Sequence, residues 1–277
     1  MSAQILDGKA LALKIKSEIA AKVKKLSRPP GLGTILVGTD PGSLSYVAGK
    51  HRDCAEVGIA SIRIDLPATA SESEILAAVA QLNNDANCTG FIVQLPLPAG
   101  VDAQKVLAAV DPKKDADGLH PNNLGKLVLD SKTIVPCTPK AILRLLNEYQ
   151  INLSGKSVLV IGRGTTVGRP LSILLSQKSV NATVTLAHTA TTNLDELLKS
   201  ADVIIAAIGK AHFIKPQMIK AGAAVIDVGI TRIDSQLLGD VDPAITSVSG
   251  YFAPMPGGVG PITRAMLLSN LLELAQA

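Results

Sequence analysis

Short apolar runs alternate with stretches of helical periodicity along the 277 residues. A run of β-branched residues bounded by turn residues marks a strand buried on both faces, and apolar positions three to four apart mark a helix. On this reading the chain opens with a surface helix over 7–26, its apolar positions Leu11, Ile15, Ile19 and Val23 and its N-cap Asp7, followed by a strand over 32–37. A second helix covers 44–57 and closes at Gly58; a strand over 59–66, a helix over 72–84, a strand over 90–95 and a helix over 102–110 follow. Residues 135–139 form a crossing into a second block, with a helix over 140–149, a strand over 157–161, a helix over 167–177 and a strand over 182–187. A helix over 194–199, strands over 203–208, 223–228 and 248–253, and an amphipathic final helix over 263–275 complete the chain. This order predicts a two-domain α/β protein: an N-terminal α/β domain over 1–139, a Rossmann-type domain over 140–262, and a C-terminal helix packing back on the first domain.

Composition narrows the function classes without choosing one. The chain is rich in Ala, Val, Leu and Ile and has no Trp, three Tyr and three Phe, as suits parallel strands covered on both faces. No apolar run approaches the ~18 residues of a membrane span, and the N-terminus lacks a signal peptide's apolar core, so a soluble, intracellular protein is expected. Cys54, Cys88 and Cys137 are odd in number and lack CxxC spacing, which predicts neither a disulfide framework nor a metal site. The net charge of +4 is dispersed and gives no nucleic-acid footprint.

The stretch 157–170, SVLVIGRGTTVGRP, concentrates the chemistry. A strand, then Gly162, Gly164 and Gly168, then a helix N-terminus would turn exposed N–H groups and the positive end of a helix dipole toward a diphosphate. The spacing G-x-G-x-x-x-G is one residue longer than the usual dinucleotide fingerprint, and many glycine turns merely join a strand to a helix. The next strand ends in Ala187-His188-Thr189, without the carboxylate that holds the ribose hydroxyls of NAD. With Arg163 and Arg169 in the glycine loop, NADP is the expected cofactor.

The second helix is the other informative place. At 100° per residue Leu44, Val47, Ala48, His51 and Ala55 form one stripe, whereas Tyr46, Lys50 and Asp53 lie opposite. Tyr46 and Lys50 are adjacent, and spacing leaves open whether they form a solvated face or line a cleft. Gln94 falls just beyond a strand end, where ligands sit in open α/β sheets. Asp115 and Asp117 stand in the loop 111–120, ordinarily a place for surface turn residues. The loop from Pro254 to Pro261 is rich in glycine and proline, and its amides could approach a flat ligand.

Taken together and in order, Tyr46-Val-x-x-Lys50, Val93-Gln-Leu-Pro-Leu97, Lys114-Asp-Ala-Asp-Gly118, Pro136-Cys-Thr-Pro139, Gly162-Arg-Gly-x-x-Val-Gly-x-Pro170 and Pro254-Met-Pro-Gly-Gly-Val-Gly-Pro-x-Thr263 closely resemble a family. It is the bifunctional methylenetetrahydrofolate dehydrogenase/methenyltetrahydrofolate cyclohydrolase family, FolD, and the match spans nearly the whole chain. The resemblance implies NADP-dependent hydride transfer from 5,10-methylene-tetrahydrofolate, then hydrolysis to 10-formyl-tetrahydrofolate. It implies a cytoplasmic homodimer, with a variant reading in which a monofunctional dehydrogenase keeps only weak cyclohydrolase activity. It implies Lys50 as acid/base, Gln94 as its orienting partner, Tyr46 stacked on the folate and Asp117 accepting from the pterin edge, with Leu95, Pro256, Gly257 and Gly258 also touching substrate. It implies Gly162, Arg163, Gly164, Thr165, Val167, Gly168, Thr189 and Ile230 around the cofactor, and no metal. Two positions depart from the family pattern: Gly164 stands where a Ser is common, and Ala141 where a Gly is usual.

Overall fold

The computed structural model describes residues 2–234 and 236–276, and the chain divides into two compact units. One, the three-stranded unit, comprises Leu13–Cys137 and the chain from Arg264 onward; the other, the six-stranded unit, comprises the residues up to Ala12 and Thr138–Thr263.

The chain begins with strand β1 (Gln4–Ile5) and helix α1 (Gly8–Val23). The Asp7 carboxylate accepts from the amides of Lys9 and Ala10 at 2.9 and 3.0 Å, the expected N-cap. Strand β2 (Gly31–Val37) is buried along its whole length, and helix α2 (Pro41–Val57) runs from an Asp40 cap to Gly58, which takes the left-handed conformation at φ 79°. Next come β3 (Ala60–Leu66), α3 (Glu72–Asn84), β4 (Gly90–Val93) and α4 (Ala103–Ala108). A capping box joins Ser71 and Glu74 at the start of α3, which begins and ends where periodicity predicts.

These strands are all parallel in the order β3-β2-β4, and Asp115 adds a further parallel bridge beside Phe91. Ile35, Ile75, Val79, Leu82, Phe91 and Val106 fill the core on one side. Because β3 and β4 flank β2 on opposite sides, chain order reverses at β2, where β4 ends paired beside it. Helix α5 (Pro121–Val128) was not legible in the sequence; its N-cap is His120, whose Nδ1 accepts from the Asn122 amide at 3.0 Å.

Helix α6 (Cys137–Glu148) leads to β5 (Ser157–Ile161), α7 (Gly168–Ser176), β6 (Thr183–Ala187), α8 (Leu194–Ser200), β7 (Val203–Ala206) and β8 (Ala224–Asp227). Strand β9 (Thr231–Ile233) pairs antiparallel with β10 (Gln236–Leu238), and β11 (Tyr251–Ala253) returns to the main sheet. That sheet is parallel throughout, in the order β1-β11-β8-β7-β5-β6. Apart from β1 it is a doubly wound sheet, with its switch point between β5 and β7. Strand β1 is why the first residues group here and not with the domain predicted over 1–139: Gln4 and Leu6 donate to the carbonyls of Gly250 and Phe252 at 2.9 and 2.8 Å. Two residues are too few to show a periodicity.

The last helix, α9 (Val259–Ala275), starts inside the glycine and proline loop and is not amphipathic as expected. Ile262, Ala265, Met266, Leu267, Leu268, Leu271 and Leu272 are all buried, so apolar residues cover it nearly all round. From Arg264 onward it belongs to the three-stranded unit, as predicted: Asn270 donates to the carbonyls of Ala116 and Val135, both at 3.0 Å. Among the described residues, no helix is long and apolar enough to cross a membrane and no cluster of His, Cys, Asp and Glu could hold a metal ion.

Candidate active site

The switch point of the three-stranded unit gathers the four residues that the sequence singled out there. Gln94 follows β4 directly, its amide bonded to the Ile35 carbonyl of β2 at 2.9 Å. Its side-chain Nε2 donates to the Leu95 carbonyl at 2.7 Å, which turns Oε1 toward Lys50 of α2; Lys50 Nζ donates to it at 3.0 Å. The same ammonium lies 4.7 Å from the centroid of the Tyr46 ring, one turn earlier on the helix. Leu95 thus acts through its backbone, as the group that fixes the Gln94 amide.

The stripe assigned to α2 requires correction. Lys50 and Asp53 are buried, at 7% and 4% exposure, together with Val47, Cys54 and Val57, whereas Ala55 is exposed. Spacing leaves a solvated face and a cleft equally open for Tyr46 and Lys50; the buried polar residues of this face each have an internal partner, Gln94 for Lys50 and Lys16 and Arg264 for Asp53. Paired polar groups can be buried without the penalty that an unpaired one carries.

Burial governs the electrostatics. It pulls the Lys50 pKa below its ordinary value, against the attraction of Asp117 and with help from the Arg264 cation. Burial likewise pushes Asp117 up, reinforced by Asp115 and opposed by Lys50 and a hydrogen bond from Cys137. Tyr46 is raised by burial first, then by Asp117, and stays a phenol. A buried amine whose ammonium form is disfavoured, with an amide to orient it and an aromatic face beside it, is equipped to take and return a proton. The two loop carboxylates have separate fates. Asp115 is buried and accepts from the amides of Gly118, Leu119 and His120 and from Asn123 Nδ2, so it holds the loop's shape. Asp117 is the one within electrostatic reach of Lys50.

The second group of predicted residues lies at the carboxyl edge of the six-stranded sheet. Gly162 leaves β5 at φ 110°, and a β-carbon there would strike the carbonyl of Ala207, which leaves β7. A β-carbon on Gly168, first residue of α7, would strike the Gly162 carbonyl. Around Gly164 nothing lies within 4 Å of where a side chain would start, and Arg163, Gly164 and Thr165 are exposed. Val167 occupies the cap position of α7 with no side-chain bond to the first turn, leaving those amides without a side-chain cap. A bare glycine turn, an uncapped helix start and the exits of β5 and β7 at a switch point fit a dinucleotide diphosphate. Thr189 lies exposed beyond β6, and Ile230, at 59% exposure, follows the end of β8. Pro256, Gly257 and Gly258 follow β11 in this same unit; Gly257 has φ 108°, and the Gly258 carbonyl sits where a side chain on Gly8 would be.

Two features here were not anticipated. Asp240 is fully buried and accepts from the amides of Ile208, Gly209 and Lys210 at 2.7, 3.2 and 2.7 Å, shaping the exit of β7. Arg264 joins the Lys50 neighbourhood; its sequence signal was a lone charge between Val259 and Asn270, with Glu273 the one other charged residue of the helix.

Comparison with known proteins matches both parts of the chain. The model for the tetrahydrofolate dehydrogenase/cyclohydrolase catalytic domain covers residues 6–117, and that for the NAD(P)-binding domain of the same family covers residues 136–277. Among solved structures, the bifunctional enzyme FolD, methylenetetrahydrofolate dehydrogenase/cyclohydrolase, from Campylobacter jejuni is 40% identical over 99% of both chains, with a TM-score of 0.95. The methylenetetrahydrofolate dehydrogenase-cyclohydrolase of Trypanosoma brucei, complexed with NADP cofactor and an inhibitor, is 35% identical over 100% of this chain and 98% of that one, also at 0.95. The bifunctional enzyme of Thermoplasma acidophilum is 29% identical over 99% and 98%, at 0.93. With both domain models matched in order and relatives of this identity along its whole length, the chain belongs to the tetrahydrofolate dehydrogenase/cyclohydrolase family.

Proposed function

We propose that this protein is a bifunctional enzyme of one-carbon metabolism. It oxidises 5,10-methylene-tetrahydrofolate to 5,10-methenyl-tetrahydrofolate with NADP and hydrolyses the product to 10-formyl-tetrahydrofolate. The observation that carries the reading is the Lys50–Gln94 pair, at 3.0 Å beside the Tyr46 ring, in a chain whose family performs both steps.

NADP, when bound, supplies the hydride acceptor. The loop at Gly162, Arg163, Gly164, Thr165, Val167 and Gly168 is our assignment for its diphosphate, with Arg163 and Thr189 toward the 2′-phosphate and Ile230 beside the ring system; the NADP held by the Trypanosoma brucei relative supports it. No proton leaves in the oxidation, so placing the folate matters more there than a strong base. Tyr46 offers a face for stacking, Asp117 an acceptor for the pterin's amino edge, and the chain at Leu95 and at Pro256, Gly257 and Gly258 further contacts.

Hydrolysis does need proton transfer. Water adds to the electrophilic methenyl carbon, and the neutral amine of Lys50 takes one of its protons. Lys50 then delivers that proton to the ring nitrogen as its bond to the carbon breaks, and the hydroxyl proton leaves to solvent as the formyl group forms. Gln94 Oε1 holds the amine in line, and burial shifts Lys50 toward the accepting, neutral form. The intact Lys50–Gln94 pair weighs against the alternative of a dehydrogenase with weak cyclohydrolase. The same reading makes the enzyme a cytoplasmic homodimer, for which sedimentation should give twice 28.7 kDa.

The test is turnover of methylene-tetrahydrofolate with NADP and, separately, NAD, following methenyl absorbance. Methenyl should appear faster with NADP and then decay to the formyl product. Absence of methenyl with either cofactor would remove the assignment.

A further inference from the structure

The ion pairs beneath α2 carry an inference that rests on the assignment of Lys50 as acid/base. Asp53, at 4% exposure, stands between two cations: Lys16 Nζ lies 3.0 Å from Oδ1 and Arg264 Nε 3.0 Å from Oδ2. The Arg264 Nε–H is not aligned to donate a hydrogen bond, so this contact pairs charges without fixing direction. Lys16 also pairs with the exposed Glu56 carboxylate. The result is a row, Glu56, Lys16, Asp53 and Arg264, with alternating charges. One end is at the surface and the other abuts α2 beside Lys50.

The fit at that inner end is close. The Arg264 guanidinium occupies the space where a β-carbon on Gly49 would stand, and Gly49 is buried in the middle of α2 with Lys50 as the next residue. A glycine inside a helix costs about 1 kcal/mol relative to alanine, so the bare position asks for a reason, and the guanidinium supplies one.

We propose that Arg264 is a positioning residue for the hydrolytic step: seated on the bare backbone of Gly49, its fixed cation favours the neutral, proton-accepting amine of Lys50. The groups that bear on Lys50 come from every element around it. Asp117 from the loop after α4 and, when ionised, Cys137 from the start of α6 favour the ammonium, whereas Arg264 from α9 opposes it; the Cys54 thiol of α2, pushed up to about 12 by burial, carries no charge near neutrality. Tyr46 stays protonated, and His51, held low by burial and by Arg63, stays neutral. Gln94 accepts from the amine and carries no charge. Burial disfavours the ammonium, Asp117 favours it, and Arg264 offsets part of the pull of Asp117.

The experiment measures hydrolysis of methenyl-tetrahydrofolate against pH, after subtraction of the uncatalysed rate, for the full-length protein and for Arg264→Met, Arg264→Lys, Gly49→Ala and Lys50→Met. Arg264→Met should lose at least about threefold in kcat near neutrality, equivalent to a displacement of about half a pH unit, with KM little changed. That loss should disappear as pH is raised, because the rising limb moves to higher pH. Arg264→Lys should keep most of the wild-type profile. Gly49→Ala pushes against the far end of a flexible side chain, so it should displace the guanidinium and shift the limb in the same direction even if Arg264→Met fails to fold. A limb unmoved in Arg264→Met and Gly49→Ala, or a loss equal at every pH, with Lys50→Met inactive, overturns this inference alone. Retained hydrolysis in Lys50→Met overturns the role of Lys50 itself.

Discussion

Asp227 closes β8 with its carboxylate accepting from the amides of Asp240 and Val241 at 2.8 and 3.1 Å. Burial, with the Asp240 charge adding to it, pushes its pKa up to about 7 against those two bonds. An unfolded Asp gives up its proton near ~3.9, so between there and about 7 the folded chain binds the extra proton. Stability from this group is therefore lost as pH rises through that window, by at most about 4 kcal/mol, and is level above it. In Asp227→Asn this contribution vanishes, and thermal midpoints recorded from about pH 5 to 8 should fall less steeply than in the wild type; parallel curves would refute the shift. At this scale the sequence was informative where chemistry depends on neighbours along the helix. Tyr46 and Lys50 meet because residues four apart share a face. It was silent on Asp227 and Asp240, 13 residues apart in the chain, whose partners are amides that only folding brings near.

Elements come through where local signals agree and fail where the signal is short or borrowed. Helix α3, with its capping box, and strand β5 lie where the pattern puts them. Helix α5 is capped by a histidine, β1 has two residues, and α9 gains its first turn from a loop that reads as a breaker. The β5 to α7 junction is the element on which nucleotide binding turns, and it permits a sharp prediction. Gly168→Ala would drive a methyl into the Gly162 carbonyl, so either α7 shifts or the turn opens. We expect about 1–3 kcal/mol of lost stability and at least about tenfold weaker NADP, read by thermal unfolding and calorimetric titration. Gly164→Ala, where there is open space, should leave stability nearly unchanged; equal effects at the two glycines would show that the junction is not close-packed.

At the scale of the whole molecule, the Lys50 cluster and the glycine turn stand in different units, each folded around its own sheet. Lys50→Met should accordingly abolish hydrolysis of methenyl-tetrahydrofolate while leaving the Kd for NADP nearly intact, and Arg163→Ala should weaken NADP more than NAD. A large loss of NADP affinity in Lys50→Met would mean that the two sites are not separable in this way. The amino-acid sequence by itself determined the alternation of strands and helices, the glycine turn and the motifs that mark the family, because each rests on residues within one turn or one loop of each other. Only the tertiary structure decided that the first residues complete the second sheet, that the last helix is buried on nearly every side, and that Asp53 and Arg264 lie under α2. Those outcomes depend on pairing across more than 200 residues of chain. Burial also turns there on whether a polar group finds a partner, which no local pattern of apolar and polar positions records.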